Sequence, residues 1–194
     1  MAALTAHPYE LLVWPPARPQ AKGVQPMPDR MDRSTLLVRL QEAHAELEAA
    51  LAAVDTARLS EPGVTGDWSV RDLLDHVCFW EQRLLWRLGL SAAEQPAPLS
   101  EPEMHRVNAE SVAAARVRTP AETLAAHRQV YAELLATVSA LGEAELNGTV
   151  RLGEPGGPLW EQIASDTYEH YEEHAAEIRA WLDGTAAPTG SGPR

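Results

Sequence analysis

The stretch that most limits how this chain can fold runs from Trp160 to Leu182, WEQIASDTYEHYEEHAAEIRAWL. Trp160, Ile163, Thr167, His170, His174, Ile178 and Trp181 recur at spacings of three and four, the period of a helix that buries one face against partners. Apolar residues hold both ends of that seam, and two histidines hold its middle. Side chains four apart stack one turn above another, so both imidazoles face the same way into the protein. Inward polar rings are costly to leave without partners, and a shared metal ion would satisfy both at once.

Three more segments carry the same period. The first spans about Asp32 to Val54, with Leu36, Leu40, Ala43/His44, Leu47, Leu51 and Val54 as its stripe. His44 stands at the stripe's edge and reads as a rim histidine bonded to a neighbour. A Pro/Gly-broken loop, SEPGVTGD, follows. Ser69-Val-Arg-Asp72 then resembles a capping box and opens a second helix to about Leu88, with Gly89 as its stop. Its apolar face holds Val70, Leu73, Leu74, Val77, Trp80, Leu84 and Leu88, and His76 borders that face.

A Pro/Ala/Ser/Glu connection over 91–102 leads to a shorter helix, Glu103–Val117, with His105 and Asn108. Thr119-Pro-Ala-Glu122 places a cap, a proline at the first helical position and a glutamate at the third. The third long helix continues to about Leu141 with Leu124, His127, Tyr131, Leu134 and Val138 in register. The glycine-rich loop from Gly142 to Pro158 has no strand–glycine–helix context of a nucleotide site. The fourth helix runs from near Leu159 to Gly184. With few β-branched runs and one Phe, the expectation is an all-α protein: a four-helix bundle with a short extra helix in the connection between helices two and three.

At 194 residues the chain fits one domain plus tails. Residues 31–184 are expected to form the bundle. Residues 1–30 carry six prolines and no helical period, which fits a disordered tail or translated sequence upstream of a start at Met27 or Met31. Residues 185–194 read as a second disordered tail. The net charge of −12 leads us to expect no nucleic-acid partner. No apolar run reaches the roughly 18 residues that span a bilayer, so no membrane partner and a cytoplasmic location are expected. The one cysteine, Cys78, excludes an internal disulfide and reads as a buried inert thiol. Oligomeric state is open, with a homodimer allowed.

In a four-helix bundle, metal sites are built from side chains on facing helices. His170 and His174 offer two nitrogens from one helix, and His76 is the third candidate. Three neutral imidazoles leave a coordination position open, as in catalytic rather than closed structural sites. Imidazoles suit Zn, Ni, Fe or Cu, with Zn or Ni the expected ion. Trp80, Asn108, His127 and Tyr131 lie on or near inward faces and are candidates for the wall of a substrate pocket. Arg71, Arg83 and Arg179, the nearest basic residues in sequence, are expected mostly to face solvent. His170-Tyr-Glu-Glu-His174 also spells the H-x-x-E-H pattern of inverted zinc peptidases, with Glu173 as base, but a second domain to form a peptide cleft is not expected.

GDWSVRDLLDHVCFWE, followed much later by DTYEHYEEHAAEIRAWL, resembles the DinB/YfiT superfamily of four-helix bundles over about residues 31–183, nearest in flavour to its ClbS/DfsB-like branch. The resemblance implies a metal held by one histidine of the second helix and an H-x-x-x-H pair of the last, which fall here at His76, His170 and His174. It further implies small reactive electrophiles as substrates, attacked by water or by a low-molecular-weight thiol cofactor, in stress response or detoxification. The alternative is a non-catalytic, metal-stabilised bundle that binds a ligand or partner.

Overall fold

The computed structural model describes residues 30–97, 99–148 and 157–184. Its elements in chain order are α1 (Arg33–Ala52), β1 (Pro62–Thr65), β2 (Trp68–Ser69), α2 (Val70–Gly89), α3 (Glu101–Ala115), α4 (Pro120–Ala140), α5 (Glu143–Leu146), α6 (Leu159–Asp166) and α7 (Tyr168–Leu182). The fold is all-α in its core: α1 lies against α7, α2 against α4, and α3 covers the outer side of α2. Residues 1–29 and 185–194 of the expected tails, and residues 149–156 of the expected 142–158 loop, lie outside the described residues. No helix among the described residues is long and apolar enough to cross a membrane.

The long helices start where local chemistry satisfies their first amides. The Asp32 carboxylate accepts from the Thr35 amide at 2.8 Å. At α2 the Asp72 amide donates to Ser69 Oγ while the Ser69 amide donates back to Asp72 Oδ2, at 3.2 and 3.0 Å, the reciprocal pair of a capping box. Thr119 and Glu122 do the same for α4. The apolar stripes then close one core: Leu36, Leu40 and Leu47 of α1, Leu73 and Leu84 of α2, Leu134 and Val138 of α4, and Trp160, Ile163 and Ile178 of α6–α7 are all essentially inaccessible. A smaller cluster of Trp80, Leu99 and Val107 seats α3 on α2.

Asp72 and Asp75 pin the α3–α4 corner to the start of α2. Arg116 Nε donates to Asp72 Oδ1 at 3.1 Å, Arg118 Nη1 to Asp75 Oδ1 at 2.9 Å, and Thr123 Oγ1 to the same carboxylate. Hydrogen bonds to Arg116 and Ser69 hold the Asp72 carboxyl below its ordinary range against the opposing effect of its burial, whereas burial dominates at Asp75 and raises it.

The structure departs from the sequence reading in four places. The stretch expected as a plain loop contains a β-hairpin, with Thr65 paired to Trp68 across a two-residue Gly66-Asp67 turn. Gly66 has φ +58° there, a sign such tight hairpin turns favour and glycine adopts at no steric cost. The loop after Gly142 holds the single turn α5, and beyond it the Asn147 side chain clasps Met31, accepting from its amide and donating to its carbonyl at 2.9 Å each. The fourth helix is two helices, broken at Thr167. Its buried hydroxyl bonds the Ile163 carbonyl four residues back, a contact that bends helices. Finally, Arg83 is fully buried, its guanidinium 5.1 Å from the centre of the Trp80 ring, rather than facing solvent. Its long stem and planar head pack along aromatic surface.

Candidate metal centre

The helical spacing of α7 and the depth of His76 on α2 bring His76, His170 and His174 together. His76 Nε2 and His170 Nε2 are 3.0 Å apart, and one ring nitrogen from each of the three residues lies within 4.8 Å of the others. Each histidine is only 6–7% exposed. Ligand nitrogens at about 2.0–2.1 Å from a tetrahedral ion stand about 3.3 Å apart, close to the His76–His170 separation. The orientation of His174 is set from outside the cluster: its Nδ1 faces Glu177 Oε2 at 2.7 Å. With the proton on Nδ1 donated to that carboxylate, the lone pair sits on Nε2, which has no hydrogen-bond partner. That is the donor chemistry of a metal-ligating histidine with its carboxylate support.

Of the residues expected to line a pocket, Trp80 and Asn108 lie beside this cluster. The Trp80 ring meets His76 edge-on, with centroids 6.2 Å apart, and its indole N–H donates to Asn108 Oδ1 at 3.0 Å. His127 and Tyr131 are gathered elsewhere, on the α1 side of α4, where Tyr131 stacks on His44 with ring centroids 3.4 Å apart and His127 lies 5.2 Å from the same ring. Glu173, the base of the peptidase reading, is exposed while His170 and His174 are buried. It belongs to the solvent face of α7, so the H-x-x-E-H spacing does not put its carboxylate among the rings.

Between the two histidine groups lies a buried polar pair. Tyr171 donates its hydroxyl to Glu81 Oε1, and both residues are wholly inaccessible. Burial pushes the Glu81 carboxyl up to about 8, against the lowering effect of that hydrogen bond. The Tyr171 hydroxyl is held well above its usual range, first by burial and then by Glu81. Burial likewise raises the Cys78 thiol, with Glu81 and Asp75 adding to it, so this cysteine is the inert kind. His127 moves the other way: burial, then His44 and Arg128, lowers its ring to about 3.

The DinB superfamily profile matches residues 39–178. The chain belongs to the DinB superfamily. Among solved structures, its fold is similar to the sibling lethal factor precursor DfsB, at 14% identity and a TM-score of 0.69, over 78% of this chain and 95% of that one. It is similar to the colibactin self-resistance protein ClbS, crystallised in complex with double-stranded DNA, at 15% identity and a TM-score of 0.67, over 77% and 94% of the two chains. A protein from Streptococcus pneumoniae matches at 12% identity and a TM-score of 0.68, over 79% and 91%. No curated protein matches the sequence significantly.

The ClbS complex corrects one expectation. A net charge of −12 does not exclude a nucleic-acid partner for a DinB-superfamily chain, because a protein of this fold is crystallised with duplex DNA. Net charge is a sum over the whole surface, whereas phosphate contacts need only a local set of donors. Three groups near the histidines escaped the sequence reading. Glu177 was legible as the residue three after His174, on the same helical side. Trp68, whose ring lies 5.1 Å from His76, depends on the hairpin that aims it. The partnership of His44 and Glu48 with His127 joins two helices and has no local signature.

Proposed function

We propose that this DinB-superfamily chain is a metal-dependent enzyme acting on small reactive electrophiles, with His76, His170 and His174 holding one Zn or Ni ion. The observation that carries the reading is the Glu177–His174 contact at 2.7 Å, which engages His174 Nδ1 while its Nε2 has no hydrogen-bond partner in a ring clustered with the other two imidazoles. When bound, such an ion supplies Lewis acidity that makes a water molecule or a low-molecular-weight thiol a stronger nucleophile at neutral pH. The chain's own residues do the rest. Three neutral donors leave the ion its full charge and an open position. Trp68 and Trp80 give His76 an apolar, water-poor surround, which strengthens electrostatic effects. Asn108 holds the Trp80 indole in place. Stress response or detoxification is the role this chemistry suits.

The test is to incubate metal-loaded protein with a panel of activated electrophiles, with and without low-molecular-weight thiols, and to follow products by mass. Because ClbS is crystallised with double-stranded DNA, the panel includes electrophiles tethered to a duplex. Thiol adducts that disappear in His174→Ala assign a transferase, and water adducts with the same dependence assign a hydrolase. No turnover in any arm, together with tight ligand or partner binding, would leave the non-catalytic bundle standing in place of the enzyme.

A further inference from the structure

A second group of donors lies across α1 and α4. His44 and Glu48 are four apart on α1, one turn above another, and His127 reaches them from α4. One ligand atom from each lies within 4.8 Å of the others. His127 Nε2 stands 3.7 Å from Glu48 Oε1, too far for a hydrogen bond and close to the roughly 3.3 Å expected between two ligands of one tetrahedral ion. His127 is wholly inaccessible, yet neither of its ring nitrogens has a hydrogen-bond partner, and the same is true of His44 Nε2 and Glu48 Oε1. Buried polar atoms are usually satisfied; here four in one place are not.

The surroundings fix these donors rather than satisfy them. The His44 ring is held by its stack on Tyr131, nearly parallel at 7°. Arg128 Nη2 donates to Glu48 Oε2 at 3.2 Å, which leaves Oε1 turned toward His127. Cys78 and Glu81 also lie within ligand range of His127, but Glu81 is already engaged by the Tyr171 hydroxyl. Glu48 instead presents Oε1 to His127 without a hydrogen-bond partner.

We infer that His44, Glu48 and His127 form a second site for a divalent transition ion of the Zn or Co type, separate from the three-histidine cluster. Two imidazoles and one carboxylate are a donor set that zinc accepts. Arg128 shares the carboxylate and repels a cation, so this site binds more weakly than the three-histidine one.

The experiment counts zinc per chain by equilibrium dialysis and mass spectrometry. It compares the wild type, Glu48→Gln, the double variant His170→Ala/His174→Ala, and all three changes combined. The expected counts are two, one, one and none, with the weaker event in the wild type reduced more than roughly a hundredfold by Glu48→Gln, beyond the usual cost of an outer-shell change. One zinc in the wild type that is lost in Glu48→Gln and kept in the double variant would support this site while removing the three-histidine reading. A wild-type count of one that vanishes with His170 and His174, a Glu48→Gln count equal to the wild type's, or no zinc at all would overturn it. The wild-type count needs no variant to fold, and Glu48→Gln is an isosteric change at a half-exposed position.

Discussion

The two histidine clusters are built from the same side chain and differ in what holds them. In the α2–α7 cluster a carboxylate outside the group, Glu177, takes the far nitrogen of His174, and apolar rings close around His76. In the α1–α4 cluster the carboxylate is itself one of the donors, shared with Arg128, and the ring of His44 is held by stacking on Tyr131. Three neutral donors leave a bound ion its full charge for polarising a nucleophile. A carboxylate donor neutralises part of that charge, and the arginine beside it lowers affinity. The first arrangement suits chemistry, and the second suits a weaker, more exchangeable occupant.

The largest effect that separates the clusters comes from the rings themselves. Replacing His76, His170 or His174 by Ala should remove the ion of that cluster entirely while the helical circular dichroism stays near wild type. Full metal retention in any one variant takes that residue out of the site. Because imidazoles must be neutral to bind, occupancy should also fall as pH drops through the range of a free ring, about 6.5.

A second effect concerns the buried pair between the clusters. From an ordinary 4.5, the folded Glu81 carboxyl is raised to about 8. Within that window the folded, metal-free chain keeps a proton that the unfolded chain has released, so stability falls as pH rises through it. Glu81→Gln removes this dependence, a difference on the order of a few kcal/mol between the ends of the window. Urea unfolding of both proteins across that range measures it, and parallel curves would show that Glu81 ionises freely in the fold. His127 acts on the acid side: with its ring lowered from 6.5 to about 3, stability is lost as pH falls between those values.

Smaller still is Glu177→Gln, which keeps the shape but weakens the support of His174. Metal affinity at the three-histidine cluster should drop roughly 10- to 100-fold, and zinc titration with a competing chelator reads it. No change would mean the contact is incidental. The smallest expected effect is at Cys78. Its burial and raised thiol predict no labelling by a thiol reagent in the native state and one label per chain after unfolding. Rapid native labelling would show that the α2–α4 seam opens.

The fold was legible because its helices carry their own punctuation. Ser69 with Asp72, and Thr119 with Glu122, cap where the pattern places them, and the seam from Trp160 to Trp181 is buried throughout. Period alone could not place the break at Thr167, because the break preserves the buried side of the helix while redirecting its axis. Nor could it foresee the hairpin, a two-residue turn hidden in a stretch read only as breakers. His76, His170 and His174 could be put forward together because two share one helix and the third sits at a matching depth, and the fold brings the three rings side by side. His127 and Tyr131 were correctly inward but could not be assigned to one cluster or the other, since that depends on how α4 is rotated against α1. Arg83 was misplaced because charge outvotes packing in a sequence reading, while in the fold its guanidinium lies over Trp80.

The most direct test of the central claim is X-ray absorption at the metal edge of Glu48→Gln protein loaded with one equivalent of zinc, a form that leaves the three-histidine cluster as the site in question. The fine structure should show three imidazole nitrogens at about 2.0–2.1 Å with one further light ligand. In Glu48→Gln/His174→Ala protein that three-imidazole spectrum should be absent, because the cluster no longer holds its ion. A first shell dominated by carboxylate oxygen, or holding fewer than two imidazoles, would contradict a centre built from His76, His170 and His174.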